Sequence, residues 1–201
     1  MKKILILFAH PAFRKSRINK VLIDGIKDIE GVTLRDLYQL YPEMDINVEK
    51  EQELLNHHDV IIFHHPFYWY STPPILKEWL DLVLEHGWAY GSHGNALKNK
   101  WFFNVMTTGG SQDAYCTKGY NRFTIRQLLA PLEQTAKLCK MHFLPPYVVH
   151  GTHSISKEGV LKHRENYSKL LTGLVNDEID LKALEKMEYF NQYLSKSLKQ
   201  R

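Results

Sequence analysis

Apolar residues along this chain come in short unbroken runs separated by amphipathic stretches. Residues 3–9, KILILFA, form a continuous aliphatic run, and DVIIFHHP (59–66) and KWFFNVMTTGG (100–110) repeat the pattern. Such runs mark strands buried on both faces. GVTLRDLYQL, starting at Gly31, alternates like a strand near an edge, and PPYVVHG (145–151) reads as a last short strand. Between them lie helices. Residues 17–29 carry Ile18, Val21, Leu22, Ile26 and Ile29 at helical spacing, and VEKEQELLNHHD (48–59) is a polar helix. PILKEWLDLVLEH (74–86) opens with proline at a first-turn position. Residues 122–140 form a helix that Pro131 must kink or break. The chain from about residue 156 is helical and increasingly polar. Its part over 177–198 carries Leu181, Leu184, Met187 and Phe190 on one face, which we expect to pack on its own domain.

The β-α alternation predicts an α/β domain over residues 1–201, with a helical extension from about 156. Five strands suit a parallel sheet in the flavodoxin-like order 2-1-3-4-5, with helices on both faces. In such sheets ligands bind beyond the carboxyl ends of the strands. The chemically distinctive segments AHPAFRKSRIN (9–19), HHPFYWYSTPP (64–74) and TTGGSQDAY (107–115) all fall there.

The first of these loops presents Ser16, Arg17 and Asn19 at a helix start. Free N–H groups and the helix dipole there favour an anion. Ser16 and Asn19 add neutral donors, Arg17 offers a charge-assisted hydrogen bond, and His10 lies close by. The plainer alternative makes Ser16 an N-cap and turns Arg17 to solvent. Neither G-x-G-x-x-G nor G-x-x-x-x-G-K-[ST] occurs, so a monophosphate fits better than a dinucleotide or a P-loop nucleotide. The second loop sets Phe67, Tyr68, Trp69 and Tyr70 before two prolines. Four consecutive rings cannot all point inward, so some remain for a flat ligand; a core cluster or a dimer contact is the alternative. In the third, Thr107, Thr108, Gly109 and Gly110 offer unobstructed N–H groups suited to the polar edge of an isoalloxazine. An ordinary Gly-Gly turn is the alternative. Phosphate loop, ring wall and donor loop together describe FMN.

Composition narrows the partners. Net charge is +4 with histidine neutral, and Lys and Arg are dispersed, which argues against nucleic acid. Cys116 and Cys139 lack metal-ligand or C-x-x-C spacing and read as plain thiols. His64, His65, His86 and His93 show no HxxxH pairing, so we expect satisfied or solvent-facing histidines and no metal. The N-terminal apolar run is too short for a signal segment, and no stretch reaches a membrane span. These features predict a cytoplasmic protein.

The segments LILFAHP, SRIN, LYQLYP, HHPFYWYSTPPILKEWLD, HGWAYG and TTGG are similar to those of the flavodoxin-like NAD(P)H:quinone oxidoreductases, the DT-diaphorase family. They most resemble its bacterial branch of general-stress oxidoreductases and ancillary subunits of glutathione-gated potassium efflux systems. The likeness covers about three quarters of the chain. It implies a homodimeric FMN enzyme. By position, His10 and Ser16, Arg17, Ile18 and Asn19 would hold the phosphate and ribityl chain. Phe67 to Tyr70 would wall the flavin, Thr107 to Gly110 would bind its polar edge, and the Gly91 loop would close over the ring. Tyr115 falls at the family's catalytic tyrosine. Asn121 stands where mammalian-type members carry histidine, and an amide cannot pass a proton near neutral pH.

The expected reaction is ping-pong: NAD(P)H reduces bound FMN by hydride transfer and leaves, then a quinone or similar acceptor takes two electrons. One rival is a one-electron flavodoxin-type carrier, against which the positive charge weighs. Another is a regulatory subunit docked on a potassium efflux channel, peripheral at the inner face of the membrane.

Overall fold

The fold is described from a computed structural model, for residues 1–197 and the side chains of residues 1–194. Strands β1 (Ile4–Phe8), β2 (Val32–Asp36), β3 (Val60–Pro66) and β4 (Trp101–Thr107) pair in parallel in the order β2-β1-β3-β4. The fifth position is split. Both β5 (His142–Phe143) and β6 (Tyr147–Val149) pair with β4, the first beside Trp101 and Phe102, the second beside Val105 to Thr107. Between them stand Pro145 and Pro146, which have no N–H for the ladder. The predicted 2-1-3-4-5 order therefore holds, with its last strand in two pieces.

Alternation along the strands divides the core into two layers. Leu5, Leu7, Ile61, Phe63, Phe102 and Met106 face one side. There they meet α3 (Val48–His57), α4 (Pro74–Val83) and α6 (Ala130–Leu138). Ile4, Ile6, Phe8, Ile62, Phe103 and Val105 face the other, under α1 (Arg17–Asp24) and α7 (Lys157–Val175). Ile4, Leu5, Ile6 and Leu7 are all fully buried, at about 1.5–3 kcal/mol each.

Four predicted elements differ in extent. The 17–29 helix ends at Asp24, and residues 25–28 continue as turns. GVTLRDLYQL is not one strand. Asp36 accepts a hydrogen bond from the Gln39 N–H at 3.3 Å and caps the short helix α2 (Leu37–Leu40). The 122–140 helix breaks into α5 (Ile125–Leu128) and α6, with Pro131 in the first turn of α6. The 177–198 helix is replaced by α8 (Leu181–Leu184) and α9 (Phe190–Ser197), and position 198 lies outside the described residues. This extension packs on its own domain as expected. Leu181, Leu184 and Phe190 are buried, and the Asn191 side chain bonds both the N–H and the carbonyl of Val148. Among the described residues, no helix is long and apolar enough to cross a membrane.

Candidate functional site

Parallel registry brings the strand ends level: Pro66, Thr107 and Val149 lie side by side. The loops beyond them, with the loop after β1, enclose a cleft of about 290 Å³. Of the residues singled out from sequence, His10, Ser16, Arg17, Ile18, Asn19, Phe67, Tyr68, Thr107 and Gly109 line it. Trp69, Tyr70, Thr108, Gly110 and Tyr115 do not.

The α1 end of the cleft is rich in donors. Ser16 is the N-cap, accepting from the Asn19 N–H at 3.1 Å. The N–H groups of Arg17 and Ile18 have no intrahelical acceptor. Ile18 contributes through that N–H, since its side chain is buried in the core. Arg17 has a task that neither sequence alternative named. Its Nη2 donates to the carbonyls of Thr152 and Ile155 at 3.1 and 3.0 Å, fastening the loop after β6 to α1. The Asn19 side chain is also committed internally, to Ser16, Thr107 and His64. His10 Nδ1 accepts from the Ala12 N–H at 3.1 Å, so the neutral ring carries its proton on Nε2. Burial lowers the His10 pKa and keeps it neutral.

The aromatic loop divides its rings. Phe67 is buried, whereas Tyr68 and Tyr70 are about half exposed and Trp69 is 93% exposed. The turn explains the split. Ser71 N–H bonds the Tyr68 carbonyl at 3.0 Å, and the central residues Trp69 and Tyr70 have φ of 50° and 62°. That is the pattern of a two-residue hairpin turn, usually made by Asn or Gly. Two aromatic residues there hold the backbone in a strained region, a condition that collects at binding sites.

The donor loop sits against a partner that the sequence did not single out. A Cβ on Gly109 would lie 2.8 Å from His153 Nε2, so glycine permits the close approach. Thr108 turns away from the cleft, donating to the Gly110 carbonyl at 2.9 Å with His150 Nδ1 beside it at 3.3 Å. Tyr115 is buried under this loop, its ring 6.3 Å from that of Phe67, and burial raises its pKa. Thr152 and His153 complete the cleft from the loop after β6, and Ala12, Lys15 and Pro66 add to its lining. The signal for the β6 loop was available: HGTH follows a strand whose carboxyl end must reach the same rim.

Gly91 requires a correction. Lys140 Nζ donates to the carbonyls of Gly91 and Gly94, at 3.3 and 2.8 Å, while the Lys140 carbonyl accepts from the N–H of Asn99 just ahead of β4. The Gly91 segment is thus held near the amino ends of the strands. It does not close over this chain's own cleft. His64 and His65 are fully buried and hydrogen-bonded. Among the described residues, no three His, Cys, Asp or Glu side chains cluster as metal ligands.

Residues 2–171 match the family described as flavodoxin-like fold. The chain is 45% identical over 169 residues to the glutathione-regulated potassium-efflux system ancillary protein KefG of Serratia proteamaculans, covering 84% of this chain and 92% of that one. General stress protein 14 from Treponema denticola, solved in complex with FMN, superposes with TM-score 0.81 at 35% identity, covering 86% and 99% of the two chains. An NADPH-quinone reductase from P. pentosaceus does so with TM-score 0.77 at 33% identity, covering 84% and 96%.

Proposed function

Because the chain belongs to the flavodoxin-like fold family, we propose that its rim cleft binds FMN and that the protein is an NAD(P)H:quinone oxidoreductase. One observation carries this reading: hydrogen-bond donors without internal acceptors converge on the cleft beside a turn of exposed rings. The FMN complex of the Treponema relative and the quinone-reductase neighbour support it.

The residues present fit the group. The N–H groups of Arg17 and Ile18, with the Ser16 hydroxyl, hold the phosphate at the positive end of α1. The Thr107 hydroxyl, bonded to the same Asn19 amide as Ser16, joins the donors for the phosphate, and His10, through Nε2–H, takes the ribityl chain. Phe67 and Tyr68 wall the ring, and the backbone at Gly109 and Gly110 meets its polar edge. Bound FMN supplies a two-electron relay from NAD(P)H to a quinone-like acceptor, the two substrates using one slot in turn. Tyr115 backs the donor loop and retains its phenolic proton near neutral pH. The exposed face of Trp69 beside the cleft suits a second copy of the chain, giving a homodimer. Sedimentation at micromolar concentration tests this: a monomer there removes that part of the reading.

The visible absorption spectrum of the purified protein, repeated after anaerobic NADPH, tests the whole. Flavin bands that bleach support the cofactor and the first half-reaction. A colourless protein that does not take up FMN defeats the proposal. Similarity to the Serratia ancillary protein supports a second reading, in which the protein also docks on a potassium efflux system. Co-purification with such a channel, against its absence alongside high quinone turnover, separates the two.

A further inference from the structure

A buried chain of hydrogen bonds runs from the far helix layer to the cleft. Tyr167 on α7 stands beside His64 Nδ1 at 3.4 Å, His64 Nε2 beside Asn19 Oδ1 at 3.0 Å, and Asn19 Nδ2 beside both Ser16 Oγ at 3.1 Å and Thr107 Oγ1 at 3.2 Å. Tyr167 and His64 are fully buried, and Asn19 is 2% exposed. Ser16 and Thr107 line the cleft.

Such a chain has a direction. It could run from Tyr167 outward, or backward with the Asn19 amide reversed and the histidine proton on Nδ1. The buried phenol decides. His64 is the only hydrogen-bond partner of the Tyr167 hydroxyl among the described residues. A backward chain would make that phenol an acceptor and orphan its hydrogen in the core, at a cost of about 1–3 kcal/mol. Tyr167 therefore donates to Nδ1, and the neutral imidazole carries its proton on Nε2 and donates to Asn19 Oδ1. Asn19 must then present both amide hydrogens to Ser16 and Thr107. Burial keeps His64 neutral, with its pKa pushed down to about 3, as this arrangement requires.

The consequence lies at the cleft. Ser16 Oγ accepts from the Asn19 N–H and from Asn19 Nδ2, which uses both of its lone pairs. Its hydroxyl hydrogen is left with no acceptor in the chain among the described residues. The Thr107 hydroxyl hydrogen is in the same position. Run backward, both hydroxyls would donate to Asn19 Oδ1 and be lost to a ligand.

We propose that the Tyr167–His64–Asn19 chain fixes the direction of hydrogen bonding so that Ser16 and Thr107 act as obligatory donors, making His64 a positioning residue for recognition of the FMN phosphate. The inference rests on the FMN reading. It assigns the two buried residues a task that packing alone would not give them.

The test compares FMN with riboflavin, which lacks the phosphate, by fluorescence titration of the full chain stripped of flavin. His64→Leu cannot donate to Asn19 and is expected to weaken FMN binding about tenfold while riboflavin affinity moves less than about twofold. His64→Gln, which can place an N–H near the Nε2 position, is expected to recover most of the loss. Should His64→Leu not fold, Tyr167→Phe removes only the hydrogen that sets the direction, and a loss of about threefold, selective for FMN, is expected. A variant that keeps the wild-type ratio of FMN to riboflavin affinity, or weakens both equally, overturns the inference and leaves FMN binding intact. Wild-type protein that binds neither flavin overturns both readings.

Discussion

Tyr70 donates its phenolic hydrogen to the Asn121 side-chain oxygen at 3.2 Å, joining the strained aromatic turn to the loop that follows the donor segment. Both residues are solvent-accessible, so this bond orders surface loops and adds little to global stability. Tyr70→Phe and Asn121→Ala should each lower stability by less than about 1 kcal/mol. Both should speed amide exchange in residues 116–123, and the double variant should exchange no faster than either single one. Additive effects would show that the two loops are held independently.

Arg17 spends both hydrogens of Nη2 on two carbonyls, so we expect it to serve the cleft chiefly by holding the loop after β6. Arg17→Gln should loosen residues 152–155 and weaken FMN binding a few-fold. It should not change the slope of log affinity against log salt, because no ion pair with the ligand is lost. A shallower slope in the variant would mean that Arg17 reaches the phosphate after all.

Beneath LYQLYP, Glu51 is fully buried and accepts from Tyr41 Oη at 2.7 Å and Trp79 Nε1 at 3.0 Å, and it is ion-paired with Arg35. Desolvation and the neighbouring carboxylate push the Tyr41 phenol up to about 12. Glu51→Leu leaves a guanidinium, a phenol and an indole N–H without their acceptor, and should destabilise the fold by about 3–5 kcal/mol. Glu51→Gln keeps an acceptor and should cost clearly less. Urea denaturation of both variants checks the order, and equal losses would place the effect in packing.

Acid should destabilise the protein through histidines held neutral. Burial pushes His64 down to about 3 and His150 down to about 4, against 6.5 for a free imidazole. Below pH 6.5 the unfolded chain takes up protons that the folded chain refuses. The contribution is complete above pH 6.5 and is lost as pH falls toward 4 and then 3. His64 alone gives a slope of up to about 1.4 kcal/mol per pH unit in that window. Thermal melts of wild type and His64→Gln between pH 7 and 4.5 should converge on acidification. Parallel curves would show that His64 does not contribute to the acid loss.

The resemblance and the rim rule located nine residues of the cleft before any coordinates. They say less where a side chain's place depends on a distant partner. Thr108 and Tyr115 lie in the donor segment by sequence, yet one turns to His150 and the other packs beneath the loop. Gly91 belongs to a distinctive motif but is tethered by Lys140, 49 residues later, at the other end of the strands.

The sequence by itself determined strands β1, β3, β4 and β6, the α/β order and, as one of two alternatives, the N-cap at Ser16. Those follow from local steric and burial periods, which a short window of residues carries. It also placed the helix break near Pro131, because a missing N–H is a property of one residue. Only the tertiary structure decided which polar groups remain free for a ligand. Arg17 Nη2 is taken up by carbonyls 135 and 138 residues away, and the donor direction at Ser16 is set from Tyr167, which lies 103 residues from its partner His64. Hydrogen-bond capacity is finite, so what a site can offer is known only after every buried group has found its partner.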